Sequence, residues 1–518
     1  MKDAVQPVLP SAVPEDEGVS SRALADFVRR FFSLRRVHGL VVLRHGKVVA
    51  EAYLDPCSPA DRHQLFSLSK SFTSTAVGMA IAEGLIPSVD APVVSFFPEY
   101  DSPRVTDRMR RATLRHLLEM GLGRESCGIW GGRYAALHEA FARSPAASDM
   151  AATAERFARG DENFGNGRPW VQNLLEDELR DEPGTVFTYN SGATFLLSAV
   201  VQKVSGQKLS DFLRPRLFDP LGFSRDLVWD PTPDGIDLGG AGLNLTVREI
   251  AAAGQFWLRG GVLPDGRRAV PAEWLAAATS KQIDNAGPGR AVDWCQGYGF
   301  QFWRCQHGAF RGDGASGQLA VMIQHLDAVV AATAGLRDMQ RELDAIWEGL
   351  LPAFRDAPMP RDPAGLADLR GAEASQRFDF GPVGAPDPAF GSCGPVEWRA
   401  AQNAHGIASV ALEQDAGGLA LSLRYGDGWT DELRAGWDAP RRSVLNRVAR
   451  HHSFDAFARA RWEAPATARF TVAIPRSTAA PEIALDLAKG TMRIQSEIWF
   501  AHDWMRECEF ALEPVSRT

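Results

Sequence analysis

Between Arg355 and Phe390 the chain carries Pro358, Pro360, Pro363, Pro382, Pro386 and Pro388, a proline density that no uninterrupted helix or central strand tolerates. That stretch divides the sequence into two parts of different periodicity. Before it, helix-length apolar segments are mixed with a few strand-like runs. After it come only short apolar runs, such as Ala408 to Leu412, Leu419 to Leu423, Phe470 to Ile474 and Met492 to Gln495, with turns like Gly417-Gly418 between them. With 518 residues, 45% of them hydrophobic, more than one core is expected. The expected division is 1–355, a linker at 356–390, and a second unit at 391–518 built as a small β-sandwich or barrel. The sequence assigns that unit no chemistry; shaping a cleft mouth and holding a homo-oligomer together are the two roles left open. Its tryptophans (Trp398, Trp429, Trp437, Trp462, Trp499, Trp504) read as core.

In the first part, Ser20 to Phe32 has helical amphipathic spacing, and the runs around His45-Gly46 read as a hairpin. Next comes Phe66-Ser67-Leu68-Ser69-Lys70-Ser71-Phe72, opening an apolar, small-residue helix. Residues three apart share a helix face, so Lys70 Nζ can reach Ser67 Oγ. A lysine packed among Phe66, Phe72 and Ala76 loses hydration, which favours the neutral amine that accepts a hydroxyl proton. The structural alternative is an N-cap serine followed by an exposed lysine. A second Ser-x-x-Lys, Ser205-Gly206-Gln207-Lys208, follows an apolar helix and reads as that helix's end.

Two later segments can join the pair. Glu182 to Gly192 is a tight loop that presents Tyr189 ahead of the helix Ala193 to Val204, and a phenol there can relay a proton or pack the loop. Arg311-Gly312-Asp313-Gly314-Ala315-Ser316-Gly317-Gln318 reads as a glycine-loosened strand edge running into buried strands at 318 to 334. Such an edge can aim an amide N–H at a substrate, or simply form a bulge.

Taken together in this order, the segments resemble the penicillin-recognising serine hydrolases: class C β-lactamases, D-aminopeptidases, related esterases and 6-aminohexanoate-dimer hydrolases. Gly239-Gly240-Ala241-Gly242-Leu243, Thr246 to Glu249 and Thr113 to Met120 fit the same pattern. The resemblance implies an α/β (α+β) fold, with one antiparallel sheet flanked by helices, a helical lobe, and the active site between them. It implies Ser67 as acylated nucleophile, Lys70 as general base and Tyr189 as proton relay. The N–H groups of Ser67 and Ala315 are the implied oxyanion hole, and Ser191, Gly314 and Ser316 the implied substrate contacts. Ser191 stands where many relatives have asparagine. The Lys-Thr-Gly strand motif of β-lactamases is absent, its place falling near His307-Gly308-Ala309-Phe310, and the glycine-rich run is closest to the 6-aminohexanoate-dimer hydrolase branch. The implied activity is hydrolysis of a small amide or ester through an acyl-enzyme, with no cofactor and no metal. A D-stereospecific peptidase, a transacylase and a catalytically silent binder of the same fold are the alternatives, and no Gly-x-Ser-x-Gly elbow of an α/β-hydrolase occurs.

The remaining features exclude other classes. A net charge of −8 without a basic block argues against nucleic acid as a partner. The first residues lack a signal-peptide pattern and no apolar run is long enough to span a bilayer, so a cytoplasmic, non-membrane protein is expected. The six cysteines lack Cys-x-x-Cys spacing and read as reduced thiols, and His451-His452 reads as surface. The segment Cys127 to Trp170, with Trp130-Gly131-Gly132 and Phe164-Gly165-Asn166-Gly167, reads either as cleft lining or as a surface excursion.

Overall fold

The computed structural model describes residues 9–124, 168–232, 234–388, 390, 394–403, 405–449, 452–464, 466–495 and 507–515; the Trp130 and Phe164 segments lie outside them. Ser20 caps the first helix, α1 (Ser21–Phe32), by accepting the Ala23 N–H, and the helix buries Leu24, Phe27, Val28 and Phe31 along one face. Strands β1 (Val37–Arg44) and β2 (Lys47–Tyr53) follow, joined at His45 and Gly46, both with positive φ as a tight hairpin demands. From the far end of this region come β3 (Trp303–Arg304), β4 (Phe310–Gly314), β5 (Gln318–Ile323) and β6 (Ala328–Ala334). The sheet order is β2-β1-β6-β5-β4-β3, with every neighbouring pair antiparallel, so the N-terminal hairpin is zipped directly onto β6.

Alternation along these strands serves two layers. Val41, Leu43, Phe310, Ala320, Met322 and Val329 pack with α2 (Ser69–Ala82) and α4 (Val247–Leu258). The intervening Leu40, Val42, Leu319, Val321 and Val330 pack with α1 and α5 (Gln340–Ala345). Between β2 and β3 the chain forms the helical lobe, which includes α3 (Ser191–Ser205). Thr246 and Glu249 form a reciprocal capping box at the start of α4.

The proline-dense segment is more than a spacer. It contains α6 (Pro363–Ala374), which starts with Asp362 as N-cap and Pro363 in the first turn, and buries Leu369 and Ala372 with the α1 side of the sheet. Arg22 pairs with Asp362, and Arg29 with Asp368. Beyond it, ten strands among the described residues form one sheet. Its first strand, Val396–Ala400, pairs with its last, Cys508–Pro514, and a short parallel bridge from Ala435 and Gly436 to Ala458 and Arg459 joins the strand at one end of the sheet to the strand next to the other end, closing it into a barrel. Inward residues such as Val410, Leu412, Leu421, Leu423, Ile483 and Ile494 fill it. Trp398 and Trp437 are in that core, whereas Trp429 is 59% exposed.

Candidate active site

Ser67 does not start α2 itself. It sits in a 3-10 turn, Phe66–Leu68, that runs straight into the helix, and Phe66 takes a left-handed φ of 46° to make the corner. A bulky residue in that region is strained. Ser67 caps neither the turn nor the helix, so its hydroxyl is left for other work.

Lys70, one residue into α2, is 1% exposed. Its Nζ lies 2.9 Å from Ser67 Oγ, 3.1 Å from Ser191 Oγ and 2.7 Å from the Gly240 carbonyl. Burial pulls the amine from 10.5 down to about 7, and the nearby Asp313 charge opposes that fall. Both protonation states fit the three oxygens. An ammonium donates to all of them; a neutral amine donates to Gly240 and Ser191 and turns its lone pair to the Ser67 hydroxyl.

Ser191 is therefore placed on Lys70, which adds to the substrate contact expected of it. The turn before α3 is firmly held. Asn190 is buried and caps α3 through Oδ1, which also accepts from Arg124 at 3.2 Å. Tyr189, half-buried, lies with its ring centroid 4.9 Å from Lys70 Nζ and stacks on Trp303, with ring centres 5.4 Å apart and planes inclined by 27°. The structure thus brings Ser67, Lys70, Tyr189 and Ser191 together around one amine.

On the other side of Ser67, β4 runs against the Phe66–Leu68 turn with no room for side chains. A Cβ on Gly314 would stand 1.9 Å from the Leu65 carbonyl oxygen and 3.1 Å from the Leu68 nitrogen; one on Gly312 would stand 2.5 Å from Leu68 Cδ1. Glycine is required there. Ala315 follows immediately, in the turn between β4 and β5. Ser316, also in this turn, is buried with φ 66°, and its carbonyl accepts the Leu336 N–H at 2.9 Å. Gln318 ties the turn down by donating to the Ala315 and Ala334 carbonyls at 3.2 and 2.7 Å.

One expected position moves. His307 and Gly308 lie in a 3-10 turn ahead of β4, whereas the strand residues flanking the Ser67 turn are Gly312-Asp313-Gly314. That stretch, and not His307 to Phe310, occupies the place beside the serine. The second Ser-x-x-Lys ends α3, with Gly206 at φ 69° and Lys208 exposed. Among the described residues no group of three or more His, Cys, Asp or Glu side chains is placed to hold a metal ion, and no helix is long and apolar enough to cross a membrane.

Comparison with known proteins fits this geometry. The beta-lactamase family model matches residues 24–350. The chain belongs to the beta-lactamase family. It is 28% identical over 323 residues to the 6-aminohexanoate-dimer hydrolase of Paenarthrobacter ureafaciens, covering 60% of this chain and 74% of that one. It is 27% identical over 230 residues to penicillin-binding protein 4 of Amycolatopsis lactamdurans, covering 36% of this chain and 60% of that protein. Among solved structures, a Bacillus anthracis protein described as a 6-aminohexanoate-dimer hydrolase superposes with a TM-score of 0.50 at 21% identity, over 67% of this chain and 87% of that one, a likeness of fold. The β-lactamase-like fold with an appended all-β unit, expected from the motifs, is the fold observed.

The Gly240 carbonyl, the Ser191–Lys70 contact and Trp303 behind Tyr189 do not follow from local sequence spacing. Only Trp303 gave a local signal, as an aromatic on a short strand before the glycine-rich edge.

Proposed function

We propose that this protein is a serine hydrolase that cleaves small amides or esters through an acyl-enzyme, with its catalytic unit within residues 1–355 and the barrel from about residue 391 as a separate unit. One observation carries the reading: a buried amine, held near neutrality, stands 2.9 Å from the hydroxyl of a serine that caps no helix. Lys70 takes the Ser67 proton as Oγ attacks the carbonyl carbon. The amide N–H groups of Ser67 and Ala315 bind the oxyanion, aided by the N-terminal end of α2. Tyr189 passes the proton from Lys70 to the leaving group, and Ser191 keeps the amine aimed during the exchange. Water then enters, loses its proton along the same path, and frees the acid and Ser67.

The amide-cleaving name of the Paenarthrobacter relative supports amides as one substrate class. β-Lactams are disfavoured. The strand beside the serine carries Gly312 where a cation would anchor their carboxylate, and Arg311 is turned away into an ion pair with Asp313. Hydrolysis of p-nitrophenyl butyrate tests the proposal: a burst of nitrophenol stoichiometric with enzyme is expected, and it is lost in Ser67→Ala. A Ser67→Ala variant with the wild-type rate refutes it.

A further inference from the structure

Behind Tyr189 lies a buried charged layer that the Ser67–Lys70 chemistry does not itself consume. Its centre is Asp313, on β4. Asp313 Oδ2 accepts from Arg311 Nε at 2.9 Å and pairs with Nη2 at 2.8 Å, and the Trp303 indole lies near enough to the same carboxylate to favour its charged form. Arg311 is fully buried; its Nη1 donates to the Asp293 carbonyl at 2.8 Å and to Cys305 Sγ at 3.1 Å, and its Cζ lies 4.3 Å over the Trp294 ring. Trp303 pairs with Arg311 across β3 and β4, which puts their side chains on one face of the sheet. The other side of the Trp303 ring carries Tyr189, and Tyr298 braces both rings edge-on, at 4.8 and 6.1 Å. Contacts thus run without a gap from Arg311 through Asp313 and Trp303 to Tyr189, and from there to Lys70.

A buried ion pair adds little net stability compared with apolar residues of the same size, so its location calls for another explanation. This one sits on the strand that flanks the nucleophile, one residue from Gly314. We propose that Asp313 is a positioning residue for the Ser67–Lys70 reaction: anchored by Arg311, it clamps Trp303 so that the indole backs the Tyr189 ring, and its negative charge faces the Lys70 amine. This rests on the hydrolase reading above.

The charges around it are defined. Asp313 faces Arg311 on its own strand, Lys70 from α2, Trp303 from β3, the Tyr298 phenol from the segment before β3, and Glu342 from α5. Asp293 and Cys305 act on it through Arg311. Glu342 is fully buried, and burial followed by the Asp313 charge holds its carboxyl well above the usual carboxylate range. Lys70 faces Asp313 as its charged neighbour and Tyr189 as its ring neighbour.

The test uses the intact 518-residue chain, p-nitrophenyl butyrate, and kcat and kcat/KM across about pH 5 to 9. Asp313→Asn keeps an acceptor for the indole but removes the charge that opposes the fall of Lys70, so the acid limb of kcat/KM moves to lower pH by about half a unit or more. Trp303→Phe leaves that limb in place and lowers kcat by about tenfold, because Tyr189 loses its backing. Should Asp313→Asn fail to fold around an unpaired Arg311, the double variant Arg311→Gln with Asp313→Asn removes both charges, and a smaller shift in the same direction is expected, since the lost Arg311 cation partly offset the carboxylate. An unmoved acid limb in the folded Asp313 variant, or a Trp303→Phe kcat within about twofold of wild type, overturns the proposal. If wild-type turnover does not depend on Ser67, the hydrolase reading fails first, and the two failures are told apart.

Discussion

Replacing Lys70 with methionine should make the protein inactive and more stable, by an amount that depends on pH. Holding the amine near 7 when the exposed side chain titrates at 10.5 costs roughly 5 kcal/mol of folding free energy below pH 7. Methionine fills similar space and has no charge to desolvate. It leaves the Gly240 carbonyl without its 2.7 Å donor, a loss of about 1–3 kcal/mol. The variant should therefore exceed wild type by roughly 2–4 kcal/mol near pH 6. Between about 7 and 10.5 the unfolded chain still carries a proton on Lys70 that the folded chain has released, so wild-type stability rises with pH over this window. The methionine variant has no such gain, and its advantage should shrink by about 3 kcal/mol between pH 7 and 9.5. Urea unfolding of both proteins near pH 6 and pH 9.5 reads this out. A variant less stable than wild type at both, by the same margin, would mean that Lys70 sits folded as an ordinary solvated ammonium, and the base assignment would go with it.

Two further outcomes follow from the same geometry. Because Lys70 acts as a base only when neutral, kcat/KM for an ester should fall as pH drops through about 7, along a limb of one proton; a profile flat to pH 5 contradicts this. Gly314→Ala should cost about a hundredfold or more in kcat, because its methyl meets the Leu65 carbonyl oxygen at 1.9 Å and must push β4, with the Ala315 N–H, off the nucleophile turn. Gly312→Ala meets the more yielding Leu68 side chain and should lose less. Equal activity of Gly314→Ala and wild type sinks the oxyanion assignment to Ala315.

What was legible in the sequence was what local spacing dictates. Ser67 and Lys70 are three apart near a helix start, Ser20 caps α1, Thr246 and Glu249 form a capping box, and His45-Gly46 supplies two positive φ values. Each is decided within a few residues. The rest depends on tertiary register. The Gly240 carbonyl reaches Lys70 from 170 residues away, and nothing in the composition of the 239–243 turn says which carbonyl points inward. The strand position beside the serine lies five residues later than the motif spacing suggests, because glycine-rich runs do not reveal where a strand begins; alternation does, with Gly312 and Gly314 both facing the Ser67 segment. The helix α6 was hidden by the prolines around it, although Asp362-Pro363 is itself a helix-start signal. Arg311, Asp313 and Trp303 were visible as residues but not as a unit, since only the β3–β4 pairing places the indole behind Tyr189.

The most direct measurement is the site of covalent modification by a fluorophosphonate probe, mapped by peptide mass spectrometry across pH. A single adduct on Ser67 is expected, formed faster above pH 7 than below it and absent from Ser67→Ala. An adduct on any other residue, or none at all on the folded wild-type protein, contradicts a Lys70-activated Ser67.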